Sequence, residues 1–124
     1  MREITTDDAD AIGPYSQGIV DGTRVFVSGQ GPLDPETGDI VSGTAGRQTA
    51  QTLENVEAIL KAADADLSDV VKTTVFLTHM EDYEAVNETY AKRMPEPYPA
   101  RSAVEVADLP ADVRVEIEAV ASLG

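Results

Sequence analysis

The chain has 124 residues, of which 9 are Lys or Arg and 23 are Asp or Glu, and its formal net charge is −14. This length predicts one domain with a small core, and a hydrophobic share of 42% predicts a folded body instead of a disordered acidic tail. The negative charge argues against binding to nucleic acid or to anionic membranes, and the lack of cysteine excludes disulfides, thiolate nucleophiles and cysteine-based metal sites.

Further absences narrow the possible sites. The chain has one histidine, His79, which lies in a predicted strand-to-helix turn with no serine motif beside it, and it has no cysteine, so a hydrolase triad is excluded. A zinc site would need several carboxylates. We therefore expect no metal site, and we expect His79 either to cap a helix or to be exposed. The first residues form no basic and apolar leader, and no run reaches the roughly 18 apolar residues of a membrane span, which predicts a cytoplasmic protein.

The acidic residues are spread along the whole chain, and only three of the cations are lysine. This pattern is typical of proteins adapted to high salt, because a Debye length of roughly 3 Å at 1 M screens the self-repulsion of a charged surface. Adaptation to high salt is therefore a hypothesis that a melting experiment can test.

The first half of the chain predicts a hairpin, a turn and a helix. Residues 16–28 hold two short apolar runs around Asp21-Gly22, a dipeptide that suits a two-residue hairpin turn. Residues 33–39 (LDPETGD) have turn chemistry and lack the spacing of a calcium loop. Residues 46–63 predict an amphipathic helix, with the polar residues Gln48, Gln51, Glu54 and Glu57 mostly off its apolar stripe. That stripe consists of Thr49, Leu53, Val56, Leu60 and Ala63.

The second half predicts strand, helix, strand and strand. Residues 70–78 are β-branched and apolar, as expected of a central strand, and residues 81–94 predict a helix that ends before Pro95. The stripe of this helix consists of Tyr83, Val86, Tyr90 and Met94. A proline-rich segment then leads into strand 101–107, and a short turn leads into strand 113–121.

The predicted order is β-β-α-β-α-β-β, an α+β fold with both helices on one face of the sheet, which leaves the other face in need of a partner. In the last strand, Val115, Ile117 and Ala119 point one way, while Glu116 and Glu118 point the other way.

Short blocks along the chain resemble one known family, and they occur in the family's order from about residue 12 to residue 121. The blocks are IGPYSQ (12–17), VSGQ (27–30), PLD (32–34), VKTTVFL (71–77), VNETY (86–90), PARS (99–102) and VEIEA (115–119). Together they resemble the RidA (YjgF) family of reactive-intermediate deaminases.

The resemblance implies a single chorismate-mutase-like domain over residues 1–124, which assembles into a homotrimer with sites in the clefts between subunits. It implies the activity of a 2-iminobutanoate/2-iminopropanoate deaminase. Such an enzyme hydrolyses enamines and imines such as 2-aminoacrylate to a 2-keto acid and ammonium, and it uses no cofactor.

Arg101 is the candidate for binding the substrate carboxylate, because a planar guanidinium offers two parallel donors that lysine lacks. The alternative from composition alone is a salt bridge to one of the many acidic residues. The resemblance favours the substrate.

Glu116 matches the family's carboxylate in the VEIEA block, and one positioned carboxyl group can activate water as a base and then return the proton as an acid. Its alternative is a solvated charge on an exposed strand face. Spacing alone cannot choose between Glu116 and Glu118, which share a face.

The relative orientation of these two candidates can be derived from an assumed pairing. If strands 101–107 and 113–121 form a hairpin in which residue 107 pairs with residue 113, Arg101 faces away from Glu116. A site that uses both then needs either a β-bulge or two different subunits.

Four further residues are carried over from the resemblance as substrate-binding candidates. Tyr15 would flank the substrate or pack; Ser28 would hydrogen-bond to it; and Gly29 would either let the backbone approach it or mark a strand bulge. Asn87 would line the site or be structural.

Three functions remain open. The first is the cofactor-free deaminase, whose partner is a small imino or enamino acid. The second is a ligand-sensing or protein-binding member that keeps the cleft without turnover. The third, a ribonuclease or translation inhibitor, is disfavoured by the missing basic surface.

Overall fold

A computed structural model of the chain describes residues 1–7 and 13–124, and it shows six strands in one sheet with two helices. The order of strands in the sheet is β1-β2-β3-β6-β4-β5. The elements are β1 (Arg2–Ile4), β2 (Gly18–Asp21), β3 (Arg24–Gln30), α1 (Ala45–Ala62), β4 (Val70–Leu77), α2 (Tyr83–Arg93), β5 (Ala100–Glu105) and β6 (Val115–Ser122). The α+β prediction is thus confirmed, with one strand, β1, that the sequence did not reveal.

The predicted hairpin is formed by β2 and β3, and its turn lies one residue later than expected. Asp21 pairs with Arg24, so the two-residue loop is Gly22-Thr23. Gly22 has a φ of 61°, a conformation that glycine adopts without the steric cost of a Cβ atom. The next turn is also confirmed, since the amide of Asp34 donates to the carbonyl of Asp39 at 2.8 Å.

The stripe predicted for α1 is buried throughout, and Thr44 caps the helix by accepting a hydrogen bond from the amide of Arg47. Gln48 departs from the prediction, because it is 7% exposed and lies in the interior. Its side chain donates to the carbonyl of Val41 at 3.0 Å and accepts from the amide of Arg114 at 2.9 Å. It therefore satisfies two backbone groups that burial would otherwise leave unpaired.

The hairpin assumed between the last two strands is not present. β5 instead lies parallel to β4 at the edge of the sheet, reached through α2, and β6 inserts between β3 and β4. The burial of each strand fits its place. Alternate residues of the central β6 are buried, whereas every residue of the edge strand β5 is exposed or partly exposed.

The two faces of the sheet differ as predicted. The helices cover one face, where the buried core lies. The opposite face, named here the open face, includes Phe26 and Phe76, together with Glu116 and Glu118. Across the described residues, no helix combines the length and apolar character that crossing a membrane requires.

Candidate active site

Glu116 lies in β6 and points to the open face, since its neighbours Val115 and Ile117 are buried under the helices. Its side chain is half-buried and makes no hydrogen bond or ion pair with any residue that the structure describes. Burial raises the pKa of the Glu116 carboxyl, and the negative charge of Glu118 raises it further. A carboxyl group in this state is suited to exchange protons closer to neutral pH than an exposed glutamate.

Gly29 contacts Glu116 within a β-bulge. Val27 pairs with Ala119 and Gln30 pairs with Ile117, so β3 contains one more residue than β6 across this stretch. A Cβ atom on Gly29 would lie 2.5 Å from Oε2 of Glu116, closer than real side-chain atoms approach. The bulge considered for Gly29 is therefore present, and it makes room for the carboxylate.

Ser28 ties the segment that carries Tyr15 to this strand. Its hydroxyl donates to the carbonyl of Ser16 at 2.6 Å, and its amide donates to the carbonyl of Gln17 at 2.9 Å. The Tyr15 side chain is 48% exposed, and its ring lies against the backbone of Gly13. Ser28 can therefore offer a ligand an acceptor while its hydroxyl hydrogen is already used. Ile12, which opens the same sequence block, lies outside the described residues.

Arg101 lies on the other face of the sheet. Arg101 pairs with Thr73 in the neighbouring strand β4, and Thr73 pairs with Ala119 in β6. Thr73 and Ala119 are buried beneath the helices, so Arg101 projects from that face. Its Nη2 donates to the hydroxyl of Tyr83 at 3.2 Å, and its guanidinium carbon lies 4.9 Å from the centre of the Tyr90 ring. Within the described parts of the chain it forms no ion pair with a carboxylate.

A single copy of the chain therefore does not bring Arg101 and Glu116 together. Glu116 pairs with Phe76, three positions along β4 from the partner of Arg101, so the two side chains project from opposite faces. The orientation derived from sequence holds, although it arises from two ladders through β4 and not from a hairpin. The bulge at Gly29 lies between β3 and β6, and the register shift between Val70 and Lys72 lies before the stretch of β4 from Thr73 to Phe76, so neither changes this arrangement.

A cavity of about 300 Å³ lies beside Arg101. Its lining residues are Asn87, Tyr90, Ala91, Tyr98, Pro99 and Arg101. The Oδ1 atom of Asn87 is buried and has no hydrogen-bond partner in the described structure. The predicted site residues thus form two groups, with Arg101 and Asn87 by the cavity and Glu116, Gly29 and Ser28 around the bulge.

Two site residues were interpreted from sequence only as packing residues. Val86, Tyr90 and Met94 are buried as the stripe of α2 predicts, but Tyr83 is 38% exposed and contacts Arg101. Tyr90 faces Arg101 as well as the core. The signal available in the sequence was two tyrosines seven residues apart on the helix that precedes the arginine.

His79 and the acidic residues were the other candidates for chemistry, and the structure of residues 1–7 and 13–124 shows how they are placed. His79 is exposed, and its Nδ1 lies 3.1 Å from the Thr78 hydroxyl without capping the helix that follows. No cluster of acidic or histidine side chains suited to a metal ion occurs in the described residues.

Comparison with known proteins gives one family and close relatives. The family model described as endoribonuclease L-PSP matches residues 5–123. A RutC family protein of Pyrococcus horikoshii is 51% identical over 98% of this chain and 98% of the relative. The 2-iminobutanoate/2-iminopropanoate deaminase of Salmonella typhimurium is 48% identical over 97% of this chain and 96% of that enzyme.

A solved structure extends the likeness to the fold. The crystal structure of Escherichia coli TdcF with bound serine is 44% identical and superposes with a TM-score of 0.92, over 98% of both chains. Serine is a small amino acid with a free carboxylate.

Proposed function

The chain belongs to the RidA (YjgF) family, also described as endoribonuclease L-PSP, and from this membership we propose that it is a cofactor-free deaminase of small enamino and imino acids. Its substrates are intermediates such as 2-aminoacrylate and 2-iminopropanoate, and its products are a 2-keto acid and ammonium. Relatives at comparable identity bear the name of this activity, which supports the proposal.

The observation that carries the proposal is that Arg101 makes no ion pair within the described residues although the chain is rich in acidic residues. The chain has 23 acidic residues, and the Arg101 guanidinium pairs with none of those that the structure describes; it contacts the rings of two tyrosines beside a cavity. A guanidinium held in this way keeps N–H donors for an incoming carboxylate. We assign Arg101 to the substrate carboxylate, with Asn87 in the wall of the same cavity.

Glu116 supplies the proton transfers of the hydrolysis. Its carboxylate takes a proton from water while the water oxygen bonds to the C2 carbon of the imine and the C=N bond becomes a single bond. The protonated Glu116 then gives its proton to the nitrogen, which becomes an amino group on the same carbon as the new hydroxyl. Glu116 next takes the hydroxyl proton and passes it to that amino group, so the C–N bond breaks, ammonia leaves and the ketone forms. Ammonia becomes ammonium in water, so the atoms and charges balance without a cofactor.

The backbone around the bulge completes this half of the site. Gly29 lets the chain approach Glu116 closely, and its amide is assigned to the substrate or to the attacking water. Ser28 is assigned as an acceptor, and Tyr15 as a flanking ring on the segment that Ser28 anchors.

The active site is shared between two copies of the chain. Arg101 and Glu116 project from opposite faces of one sheet, so a single substrate can contact both only if each copy contributes one of them. The open face bears partly exposed apolar residues, including Phe26 at 45% exposure, which suits an assembly interface. The family resemblance favours a homotrimer.

A coupled assay tests the function. A pyridoxal-phosphate enzyme generates 2-aminoacrylate in the cuvette, and the protein should accelerate the release of pyruvate. Glu116→Gln should lower kcat by roughly 10²-fold to 10⁴-fold because the general base is lost. Arg101→Ala should lower kcat/KM by roughly tenfold or more, as expected for losing a charged hydrogen bond.

The matched control is Arg47→Ala, which removes an exposed arginine from α1. It should behave like the wild type. A wild-type protein that gives no acceleration at any salt concentration would contradict the deaminase proposal.

Binding without turnover is the second candidate, and serine bound to TdcF is the observation that favours it. Calorimetry with serine and the pyruvate assay together separate the two candidates. A sensor binds serine through Arg101 but shows no pyruvate release that depends on Glu116. Ribonuclease activity, which the family description suggests, is disfavoured by the charge of −14, and we expect no cleavage of single-stranded RNA.

A further inference from the structure

We propose that Tyr90, tethered by Thr73, and Tyr83 are positioning residues that hold the Arg101 guanidinium ready for the substrate carboxylate. This inference rests on the proposed function, because it assumes that Arg101 binds a carboxylate. It assigns a role to three residues outside the group that touches the substrate.

Tyr90 supports Arg101 through its ring and is itself fixed at its hydroxyl. Tyr90 is 5% exposed, and the centre of its ring lies 4.9 Å from the guanidinium carbon, within the range of a cation–π interaction. Its hydroxyl lies 2.7 Å from the hydroxyl of Thr73, which is itself buried. The Thr73 hydroxyl thus fixes the ring at its far end, while packing in the core fixes its sides.

The hydroxyl of Tyr90 keeps its proton under working conditions. Burial raises its pKa, more than the hydrogen bond with Thr73 and the charge of Arg101 lower it. The contact between the hydroxyl groups of Tyr90 and Thr73 therefore persists from acid to neutral pH. Tyr90 supports Arg101 equally over the pH range in which Glu116 gains or loses its proton.

Tyr83 holds the guanidinium from a second direction. Its hydroxyl accepts a hydrogen bond from Nη2 of Arg101 at 3.2 Å, and its ring centre lies 5.7 Å from the guanidinium carbon. Arginine has five N–H donors, and the ring contacts use none of them. Tyr83 occupies one donor, so enough remain to bind a carboxylate through two parallel hydrogen bonds.

The contacts with the two tyrosines keep Arg101 from pairing with the protein's own carboxylates, which are abundant in this chain. A flexible arginine on an acidic surface would form ion pairs with neighbouring carboxylates and would have to break them before substrate binds. Two aromatic contacts and a neutral acceptor immobilise Arg101 without supplying a competing anion. The ordering of the side chain is completed on folding and is not left to the binding step.

The test compares two buried threonines. Thr73→Val removes the tether of Tyr90, whereas Thr49→Val removes an equally buried hydroxyl that bonds only to the carbonyl of Ala45 in its own helix. Thr73→Val should lower Tm more than Thr49→Val, because it leaves the buried hydroxyl of Tyr90 without a partner, whereas the carbonyl of Ala45 lies within a helix. Only Thr73→Val should raise KM and the Kd for pyruvate, by about threefold to tenfold, with a smaller change in kcat.

The ring and the hydroxyl of each tyrosine are separated by further variants. Tyr90→Leu should raise KM more than Tyr90→Phe, because phenylalanine keeps the ring and loses only the hydroxyl that contacts Thr73. Tyr83→Phe should raise KM because Nη2 loses its acceptor. If Tyr90→Leu does not fold, Thr73→Val and Tyr83→Phe measured against Thr49→Val decide the question.

Failure of this inference is distinguishable from failure of the function. If Arg101→Ala raises KM while Thr73→Val and Tyr83→Phe match Thr49→Val, the positioning role is wrong and the role of Arg101 stands. If Arg101→Ala has no effect on KM or on pyruvate binding, the carboxylate-binding role is itself wrong, and the positioning role falls with it.

Discussion

At the scale of single residues, the contact between Gly29 and Glu116 is the tightest constraint at the site. A methyl group on Gly29 would lie 2.5 Å from the carboxylate, so Gly29→Ala forces Glu116 to move. We expect kcat to fall by at least about tenfold, since small displacements of a catalytic group cost orders of magnitude in rate. Steady-state kinetics of pyruvate release measures this effect.

Gly31→Ala is the matched control for that substitution. A Cβ atom on Gly31 would lie 3.9 Å from the nearest atom, a methyl carbon of Val113, which is ordinary van der Waals contact. Equal loss of kcat in both variants would contradict the claim that Gly29 is needed to make room for Glu116.

Glu118 sets part of the proton affinity of Glu116. A general base must be deprotonated, so kcat/KM falls as the pH drops through the pKa of Glu116, which burial and Glu118 raise above the usual glutamate range. Glu118→Gln removes the like charge, lowers that pKa, and moves the acid limb of the profile to lower pH. A pH profile of kcat/KM measures the shift.

Glu54→Gln removes the same charge from an exposed position on α1 and should leave the limb in place. A limb that stays in place or moves to higher pH in Glu118→Gln would show that Glu118 does not act on the titrating group.

At the scale of elements, the sequence predicts which face of the sheet a strand residue occupies better than it predicts which strands pair. The alternation in β6 correctly places Val115 and Ile117 in the core and Glu116 on the open face. It cannot show that β6 pairs with β3 and β4, because alternation is a local property and pairing joins residues distant in sequence. β1, with three residues, is too short for a periodicity to be visible.

For the candidate site too, the sequence indicates the main residues but not the contacts that support them. Residue type and the sequence blocks single out Arg101 and Glu116 as candidates, and a strand bulge is one of the two interpretations that the sequence allows for Gly29. The support of Arg101 by Tyr83 and Tyr90 depends on how α2 packs beside β5, and no local pattern carries that information.

Gln48 shows how one buried polar side chain joins elements. It connects α1 to the carbonyl of Val41 and to the amide of Arg114 just before β6. Gln48→Leu leaves both backbone groups without this partner and should lower the free energy of unfolding by about 1–3 kcal/mol. Denaturant unfolding measures the change.

Gln51→Leu is the same chemical change one turn along the helix, where the side chain is half-buried and makes one bond, to Asn55. We expect a smaller loss there. An equal loss in the two variants would show that Gln48 does not link the elements more strongly than an ordinary polar side chain.

At the scale of the whole molecule, the net charge of −14 predicts a stability that depends on salt. Raising KCl from about 0.1 M to about 1 M shortens the Debye length from roughly 10 Å to 3 Å and weakens the self-repulsion of the folded state. Tm should therefore rise with KCl. The double variant Glu54→Lys/Glu88→Lys removes four units of negative charge and should show a smaller rise.

A Tm that is unchanged or falls with KCl would contradict adaptation to high salt. The deaminase assignment does not depend on that outcome, since it rests on Arg101, Glu116 and the family.

The central claim at this scale is that each active site is built from two copies of the chain. Arg101 and Glu116 stand on opposite faces of one sheet, so substitutions of the two residues should complement each other in mixed oligomers. At substrate concentrations well below KM, Arg101→Ala and Glu116→Gln chains alone are each expected to keep at most about a tenth of the wild-type rate.

The decisive measurement is the pyruvate-release activity of a one-to-one mixture of these two impaired variants at substrate concentrations well below KM, after subunit exchange has been verified by mass spectrometry. Random mixing in a cyclic oligomer should restore about one quarter of wild-type activity, because each intact site needs Arg101 from one variant and Glu116 from its neighbour. Verified exchange with no activity above that of the separate variants would contradict the shared site.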